Sequence, residues 1–443
     1  MTKTKIAKAE TNKRMEEIIS LCKRRGFVFQ GSEIYGGLAG TWDYGHFGLA
    51  LKNNIKNIWW KKFVTDREDM YGVDAAILMN QKVWKATGHV DGFSDPLAEC
   101  KKCKKRFRTD QLANPNKCEC GGEMGEARQF NMMLKTNVGA IQDDSSISYL
   151  RPETAQGMFV NYKNIIDSYH PKLPFGMAQI GKAFRNEIAP RDFTFRAREF
   201  EQMEIEYLVN PDEWKDTFEH YRKEMLDYTK KIGLNPKHVY EHEIPDGERA
   251  FYSKRTIDFE FEFPFGRNEL YGLVYRTDYD LKKHSDFSGV DLSYLDEETK
   301  KKFIPHCIEP SFGVDRSVLA VICDAYTEDE LGGEKRVFMK FNSSVAPVKI
   351  AVFPLLKNKP QLVEKAREVY ADLRKEFGAV MFDDNGNIGK RYRRQDEIGT
   401  PYCVTVDFET IEKDNMVTVR DRDTGNQERV KIQELKEFFA KKF

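Results

Sequence analysis

The sequence predicts a large α+β domain built on an antiparallel sheet, joined to a smaller C-terminal α/β domain. Three observations predict it. Strand-period segments such as 184–208, TIDFEFEF and ELYGLVYR crowd the first part of the chain without alternating regularly with helices. A polar stretch ending in proline, KFNSSVAP at 340–347, then interrupts the pattern. Beyond it, strands and helices alternate to the end of the chain. With 443 residues the chain has room for two domains with substantial cores.

The elements follow in order. Met15, Ile18, Ile19 and Cys22 share an early helix face. After the turn-rich GTWDYGHFG, Leu51, Ile55, Ile58, Trp59 and Phe63 form a second apolar stripe. A polar, turn-rich segment at about 96–125 reads as a small insertion. A helical insertion at about 210–235 starts at Asn210 and Pro211, with Asn210 as the cap, and carries Trp214, Phe218, Tyr221 and Met225 on one face. CIEPSFGVDRSVLAVI is a strand turning into a helix. In the last domain VKIAVFPLL is a buried strand. Leu362, Ala366, Val369, Leu373 and Phe377 face inward from a helix closed by Gly378. AVMFDD and PYCVTVDF are strands, and KIQELKEFFAKKF is a terminal helix.

Lys+Arg and Asp+Glu both total 71, so net charge neither favours nor excludes nucleic acid; local patches decide. No apolar run reaches membrane length. MTKTKIAKAETNKRMEE has no apolar signal core, so no targeting segment and a cytoplasmic location are expected. Cys22, Cys307, Cys323 and Cys403 sit among apolar neighbours as core thiols. Cys100, Cys103, Cys118 and Cys120 cluster, and two paired-cysteine knuckles suit tetrahedral zinc in a segment with little core; degenerate surface thiols are the alternative.

The chemistry concentrates in FRNEIAPRDFTFRAREFEQMEIEYL at 184–208, two strands joined by a loop. Arg198, Phe200, Gln202, Glu204 and Glu206 share one face; Ala197, Met203, Ile205 and Tyr207 share the other, an ordinary core face. Arg185 and Glu187 face the same way on the first strand, and Arg191 lies in the loop. Arginine forks match phosphate oxygens, Phe200 offers a ring for stacking, and Glu204 suits an ammonium group. An exposed ion-pair face is the plainer alternative. The second segment adds Glu309 and Ser311 on a strand face, Gly313 at the turn, and Arg316 in the first turn of a helix, either binding an anion or pairing with Asp315.

FRNE with REFEQME, and GVDR opening a helix, resemble the second and third signature motifs of class II aminoacyl-tRNA synthetases. GGLAGTWDYG, TGHVDGFSDP, RPETAQG, EPSFG and KRYRRQDEIGTPYCVTVD run in the order of the homodimeric glycyl-tRNA synthetases. The resemblance implies a class II catalytic domain over 1–345 and an anticodon-binding domain over 346–443. It implies that glycine, ATP and tRNA-Gly are substrates, that glycyl-adenylate is the intermediate, and that the chain dimerises through the helix around Leu51 and Phe63. Arg185 and Arg316 would hold the ATP phosphates, and Glu187 would read the adenine amino group while Phe200 stacks on the ring; these are the residues counted as catalytic or nucleotide-binding, with Asn186, Phe195, Arg196, Leu270, Gly313 and Asp315 around them. Glu269 would bind magnesium. Glu153, Gln202, Glu204, Glu309 and Ser311 would surround the glycine ammonium, Arg276 would grip its carboxylate, and Arg108 would be a further contact.

Adenylation needs positioning and charge neutralisation, not a side-chain nucleophile. Crowded carboxylates around the amino group would refuse alanine by a rigid wall. Where the family has proline after the first glycine of its turn, this chain has His46, read as a turn substitution. The basic run Lys101, Lys102, Lys104, Lys105, Arg106 and Arg108 either meets the tRNA acceptor end or is a solvated face. In KRYRRQDEIG, Lys390, Arg391, Arg393 and Arg394 around Tyr392 suit RNA contacts. A non-catalytic RNA-binding relative would be expected to lose the paired arginines, and an enzyme for another small amino acid would lack the crowded carboxylates.

Overall fold

The computed structural model describes residues 3–112 and 114–443, with side chains described from residue 13 onward except at Gln111. Met1 and Thr2, the start of the stretch read for a targeting signal, lie outside the described residues. No helix among those described is long and apolar enough to cross a membrane.

The first part is organised by a seven-stranded sheet in the order Val239–Glu243, Arg255–Phe263, Gly266–Thr277, His306–Gly313, Glu199–Val209, Phe175–Phe184, Met70–Gly72. Every neighbouring pair is antiparallel except the last, where Met70–Gly72 runs parallel to Phe175–Phe184. This is the expected antiparallel α+β layout. The two chemistry-bearing segments become neighbours in it: Gln202 pairs with Gly313 and Glu204 with Ser311. On the other side of the same strand, Gly272 pairs with Ser311 and Val274 with Glu309.

Helices cover one face of this sheet. His46–Trp60 buries Leu51, Ile55 and Trp59 in the main core, and Phe63 follows in the next turn. That stripe therefore faces its own chain, and the helix's other face keeps Leu49, Asn53 and Asn57 exposed. Trp214–Lys231 buries Phe218, Tyr221, Met225 and Tyr228 in the same core. Its start differs from expectation. Asn210 accepts from the Asp212 amide in a turn, and the helix begins only at Trp214. His46 opens its helix after Gly45, in keeping with a turn role.

The segment around the clustered cysteines folds as a three-stranded sheet, with Ser94–Glu99 between Arg106–Arg108 and Arg128–Asn131. Ala98, Cys100, Cys118 and Met124 make its small separate core. The C-terminal sheet runs Val380–Phe382, Ile350–Pro354, Tyr402–Val406, Met416–Asp421, Gln427–Lys431, parallel over the first three strands and antiparallel after. Pro360–Phe377 packs Leu362, Ala366, Val369 and Leu373 on it, and Gly378 closes the helix at φ 67°. A positive φ there suits glycine, which carries no Cβ to clash.

A buried charge cluster ties the two parts together. Asp396 is 2% exposed and takes two bonds from Arg420, at 2.8 and 3.0 Å, and one from Arg336 at 3.3 Å. Arg336 also donates to the Arg422 carbonyl and pairs with Asp329. Removing one member of such a cluster strands the rest without water. Asp396→Ala is expected to cost about 3–5 kcal/mol in denaturant unfolding; a loss below about 1 kcal/mol would show the cluster to be solvated in solution.

Candidate active site

The cavity lies where Glu199–Val209, Gly266–Thr277 and His306–Gly313 bring their polar faces together, with Asp258 of Arg255–Phe263 at its edge, and has a volume of about 340 Å³. One end is cationic and aromatic. Arg185 donates to the Pro152 carbonyl at 3.1 Å and lies between the rings of Phe93 and Phe200, 5.4 and 5.3 Å from their centroids. Arg316, in the first turn of Val314–Ala325, lies 4.5 Å from the Phe195 centroid. It donates to the Glu269 carbonyl at 3.0 Å and stands 3.2 Å from the Glu269 carboxylate. Asp315 is not its partner. Asp315 accepts from Tyr44, Lys52 and the Glu201 amide, pinning the helix start to the neighbouring strand. Asp315 lines the cavity while serving this positioning role.

Glu187 comes to the cavity on the loop side, 8% exposed. Its backbone carbonyl accepts from Arg198, which also donates to the Ala39 carbonyl and so braces the loop. Glu187 Oε2 is buried and accepts no hydrogen bond, with Arg196 3.9 Å away. A buried acceptor without a donor costs about 1–3 kcal/mol, so this atom suits a ligand N–H. Phe195, Arg196, Leu270 and Gly313 line the same cavity. Asn186 is not among the lining residues; its amide donates to the Met132 carbonyl.

The other end is acidic. Glu204 is 2% exposed and takes donors from the Thr154 amide at 3.1 Å, Gln202 Nε2 at 2.7 Å and Ser311 Oγ at 2.7 Å, as well as from the Thr154 hydroxyl. Its oxygens are thereby saturated, so it acts as a fixed charge in the cavity wall. Gln202 Oε1, by contrast, is buried without a partner. Glu153 accepts from Gln156 at 3.0 Å and faces His89 at 3.4 Å. Burial opposes its ionisation, but His89, Arg276 and Gln156 prevail and hold it below the usual carboxylate range. Glu204 is shifted the other way, first by burial and then by Glu153.

Arg276 departs from expectation. It is 1% exposed, donates twice to Asp280 at 2.8 and 2.9 Å and once to Glu309 at 2.8 Å, and lies 4.1 Å from the Tyr252 ring centroid. It does not line the cavity, and its fork is spent on this chain's carboxylates, so it orders the acidic end instead of gripping a ligand carboxylate. Arg108 does line the cavity, held by Asp95 at 2.7 Å and by Asp110. The carboxyl oxygens of Glu204 and Glu309, which line the cavity, and of Glu206 behind them lie within 4.8 Å of one another. Glu206 takes the Cys307 thiol proton donor at 3.0 Å and leaves Oε1 unpartnered. Burial, reinforced by Glu309, pushes Glu206 well above the ordinary range.

Sequence reasoning missed Tyr252, Asp258, Glu201, Thr194 and Met132, which also line the cavity. Asp258 is raised to about 7 by burial and then by Glu269, whereas Arg316 holds Glu269 low. Two carboxylates close enough for one to hinder the other's ionisation suit a hard divalent cation. The four clustered cysteines also converge, with all Sγ atoms within 4.8 Å of one another and Cys100–Cys120 and Cys103–Cys118 at 3.6 and 3.7 Å. Four thiolates so placed suit tetrahedral zinc.

Outside the cavity lining, the C-terminal cationic run forms the helix Ile388–Ile398. Arg391 is 1% exposed and donates to the carbonyls of Pro354, Asp384 and Gly386. It is a structural arginine, which corrects its reading as an RNA contact. Arg394 pairs with Asp383, Arg393 donates to the Lys335 carbonyl, and Lys390 is exposed.

Glu309 is raised to about 8, chiefly by burial, with Glu204 and Glu153 adding to it and Arg276 opposing. The folded protein thus holds this proton more tightly than the unfolded chain. The stability it contributes is full below about 4.5, the ordinary carboxylate value, and is lost as pH rises toward 8. Thermal melts of Glu309→Gln are expected to fall less steeply from pH 5 to 9 than those of the unaltered protein. Parallel slopes would contradict the assignment.

Two family models match the chain: the tRNA synthetase class II core domain (G, H, P, S and T) over residues 138–326, and the anticodon binding domain over residues 349–442. The glycine–tRNA ligase of Clostridium acetobutylicum is 50% identical, the alignment covering 97% of this chain and 99% of that protein. The enzyme of the same name from Lachnospira eligens is also 50% identical, and that from Bacillus anthracis 49%, each over 97% of this chain and 99% of the relative. The cavity's paired arginines and crowded carboxylates thus sit in a chain that belongs to the glycine–tRNA ligase family of class II tRNA synthetases.

Proposed function

We propose that this chain joins glycine to tRNA-Gly in two steps, through glycyl-adenylate, with an ATP-binding catalytic domain over 1–345 and an anticodon-binding domain over 346–443. The observation that carries the reading is the polarity of one cavity, cationic and aromatic at one end and acidic at the other. Arg185 and Arg316 face the triphosphate, Phe200 stacks on adenine, and Glu187 Oε2 takes the adenine amino group. Glu153, Gln202 Oε1 and Glu309 take the glycine ammonium, while Glu204 and Ser311, bonded to each other, form the unyielding wall that refuses a methyl group. With Arg276 engaged inside the protein, Arg108, one of four arginines lining the cavity, takes the glycine carboxylate.

In the first step the glycine carboxylate oxygen bonds to the α-phosphorus and pyrophosphate leaves with the electrons of the broken phosphoanhydride bond. In the second, the tRNA ribose hydroxyl bonds to the glycyl carbonyl carbon. AMP leaves with the electrons of the broken carbon–oxygen bond, and the hydroxyl proton passes to its phosphate. Glu269 and Asp258 would hold magnesium, which supplies charge neutralisation at the phosphates when bound. Cys100, Cys103, Cys118 and Cys120 would hold structural zinc, which leaves no open coordination position.

Exposed Lys390, with Arg393 and Arg394 beside it, contributes to tRNA binding by the last domain. A homodimer is supported by exposed apolar side chains near the second helix: Ile34 at 89%, Tyr35 at 87%, Leu38 and Leu49. A cytoplasmic location completes the reading.

Pyrophosphate exchange with ATP, run across glycine, alanine, serine and proline, tests it. Exchange with glycine alone is expected, falling by about 100-fold or more in Arg316→Ala. Exchange with another amino acid, or none in the unaltered protein, would overturn the proposal.

A further inference from the structure

The second step requires a ribose hydroxyl to reach the amino-acid end of the cavity, so the 3′ end of the nucleic acid must rest on that rim. Tyr252 lines this end, its ring 4.1 Å from the Arg276 guanidinium. The residue before it, Phe251, is 68% exposed, more than the other exposed phenylalanines, Phe287 at 52% and Phe443 at 38%. Its ring meets Tyr252 at 5.1 Å and 79° and Tyr279 at 5.5 Å and 71°. These edge contacts fix the ring without stacking on it.

The helix side carries two exposed lysines, with Asp280 buried against Arg276 and Asp286 exposed further along. Tyr279 opens the helix Tyr279–Ser288, and Lys283 Nζ lies 5.6 Å from its ring centroid. Lys282, Lys283 and Lys254 are exposed. Of the acidic neighbours in the loop, Asp246 is paired with Arg249 at 2.6 Å, and Glu248 is exposed. Exposed aromatic rings beside ammonium groups are what single-stranded nucleic acid binds, bases on the rings and phosphates on the cations. A protein partner would leave the three lysines unmatched unless it were itself polyanionic.

We propose that Phe251, braced edge-on by Tyr252 and Tyr279, forms a stacking platform for the terminal base of the single-stranded tRNA 3′ end, with Lys254, Lys282 and Lys283 facing its phosphates. The proposal rests on the ligase reading. The platform positions the ribose and takes no part in adenylation.

Phe251→Ala and Phe251→Trp in the full chain test it, because an exposed ring can be changed without opening the core. Glycine-dependent pyrophosphate exchange without tRNA is expected to stay within about twofold of the unaltered protein in both. Single-turnover transfer of glycine to subsaturating tRNA is expected to fall about tenfold in Phe251→Ala and to persist in Phe251→Trp. The introduced indole fluorescence is expected to be quenched by intact tRNA and not by tRNA trimmed of its terminal nucleotide. Unchanged transfer in Phe251→Ala, equal loss of exchange and transfer, or quenching indifferent to trimming would each overturn the platform. Absence of glycine-dependent exchange in the unaltered protein would strike the ligase reading instead.

Discussion

One guanidinium serves too many carboxylates. Arg276 lies buried with Glu153, Glu204, Glu206, Asp280 and Glu309 around it, each less than a tenth exposed. It bonds directly to Asp280 and Glu309, approaches Glu153 at 3.9 Å, and acts on Glu204 and Glu206 through space. Burying an unpaired carboxylate is costly, so such a group retains a proton instead. The acidic end of the cavity is therefore short of positive charge until a cation arrives. An ammonium group on a small molecule supplies it, and the wall of Glu204 and Ser311, bonded to each other, limits how large that molecule is.

The antiparallel sheet makes this arrangement possible. Side chains on alternate residues of three adjacent strands point the same way, and the pairing of Glu204 with Ser311 and of Gly272 with Ser311 sets their register. A one-residue slip would turn the carboxylates into the apolar core and Met203 and Ile205 into the cavity. The strand then leads directly into the helix bearing Arg316, so the cationic and acidic ends are held at a fixed separation by one continuous segment. Asp315 locks that junction through Lys52, Tyr44 and the Glu201 amide.

Much of this was legible in the sequence because it is periodic or local. The alternation in 198–207 placed Glu204 and Gln202 on one face, and the glycine at 313 marked the turn into a helix. What escaped depends on partners distant along the chain. The engagement of Arg276 needs Glu309, thirty-three residues on, folded against it. Arg391 reads as a surface cation in a basic run, yet carbonyls from the preceding loop and from Pro354 draw it inward. Tyr252 sits in an aperiodic loop, where no spacing betrays a cavity. The apolar stripe from Leu51 to Phe63 was visible, but periodicity does not say whether a stripe meets its own chain or another.

Proton counting tests the central claim most directly. Calorimetric titration of glycine, repeated at pH 7 in buffers of different ionisation enthalpy, gives the protons exchanged on binding. The carboxylate excess around Arg276 predicts net release, as the ammonium replaces protons held by Glu309 and its neighbours. Zero exchange, or uptake, would show that these carboxylates are already ionised and that the charge imbalance does not drive recognition.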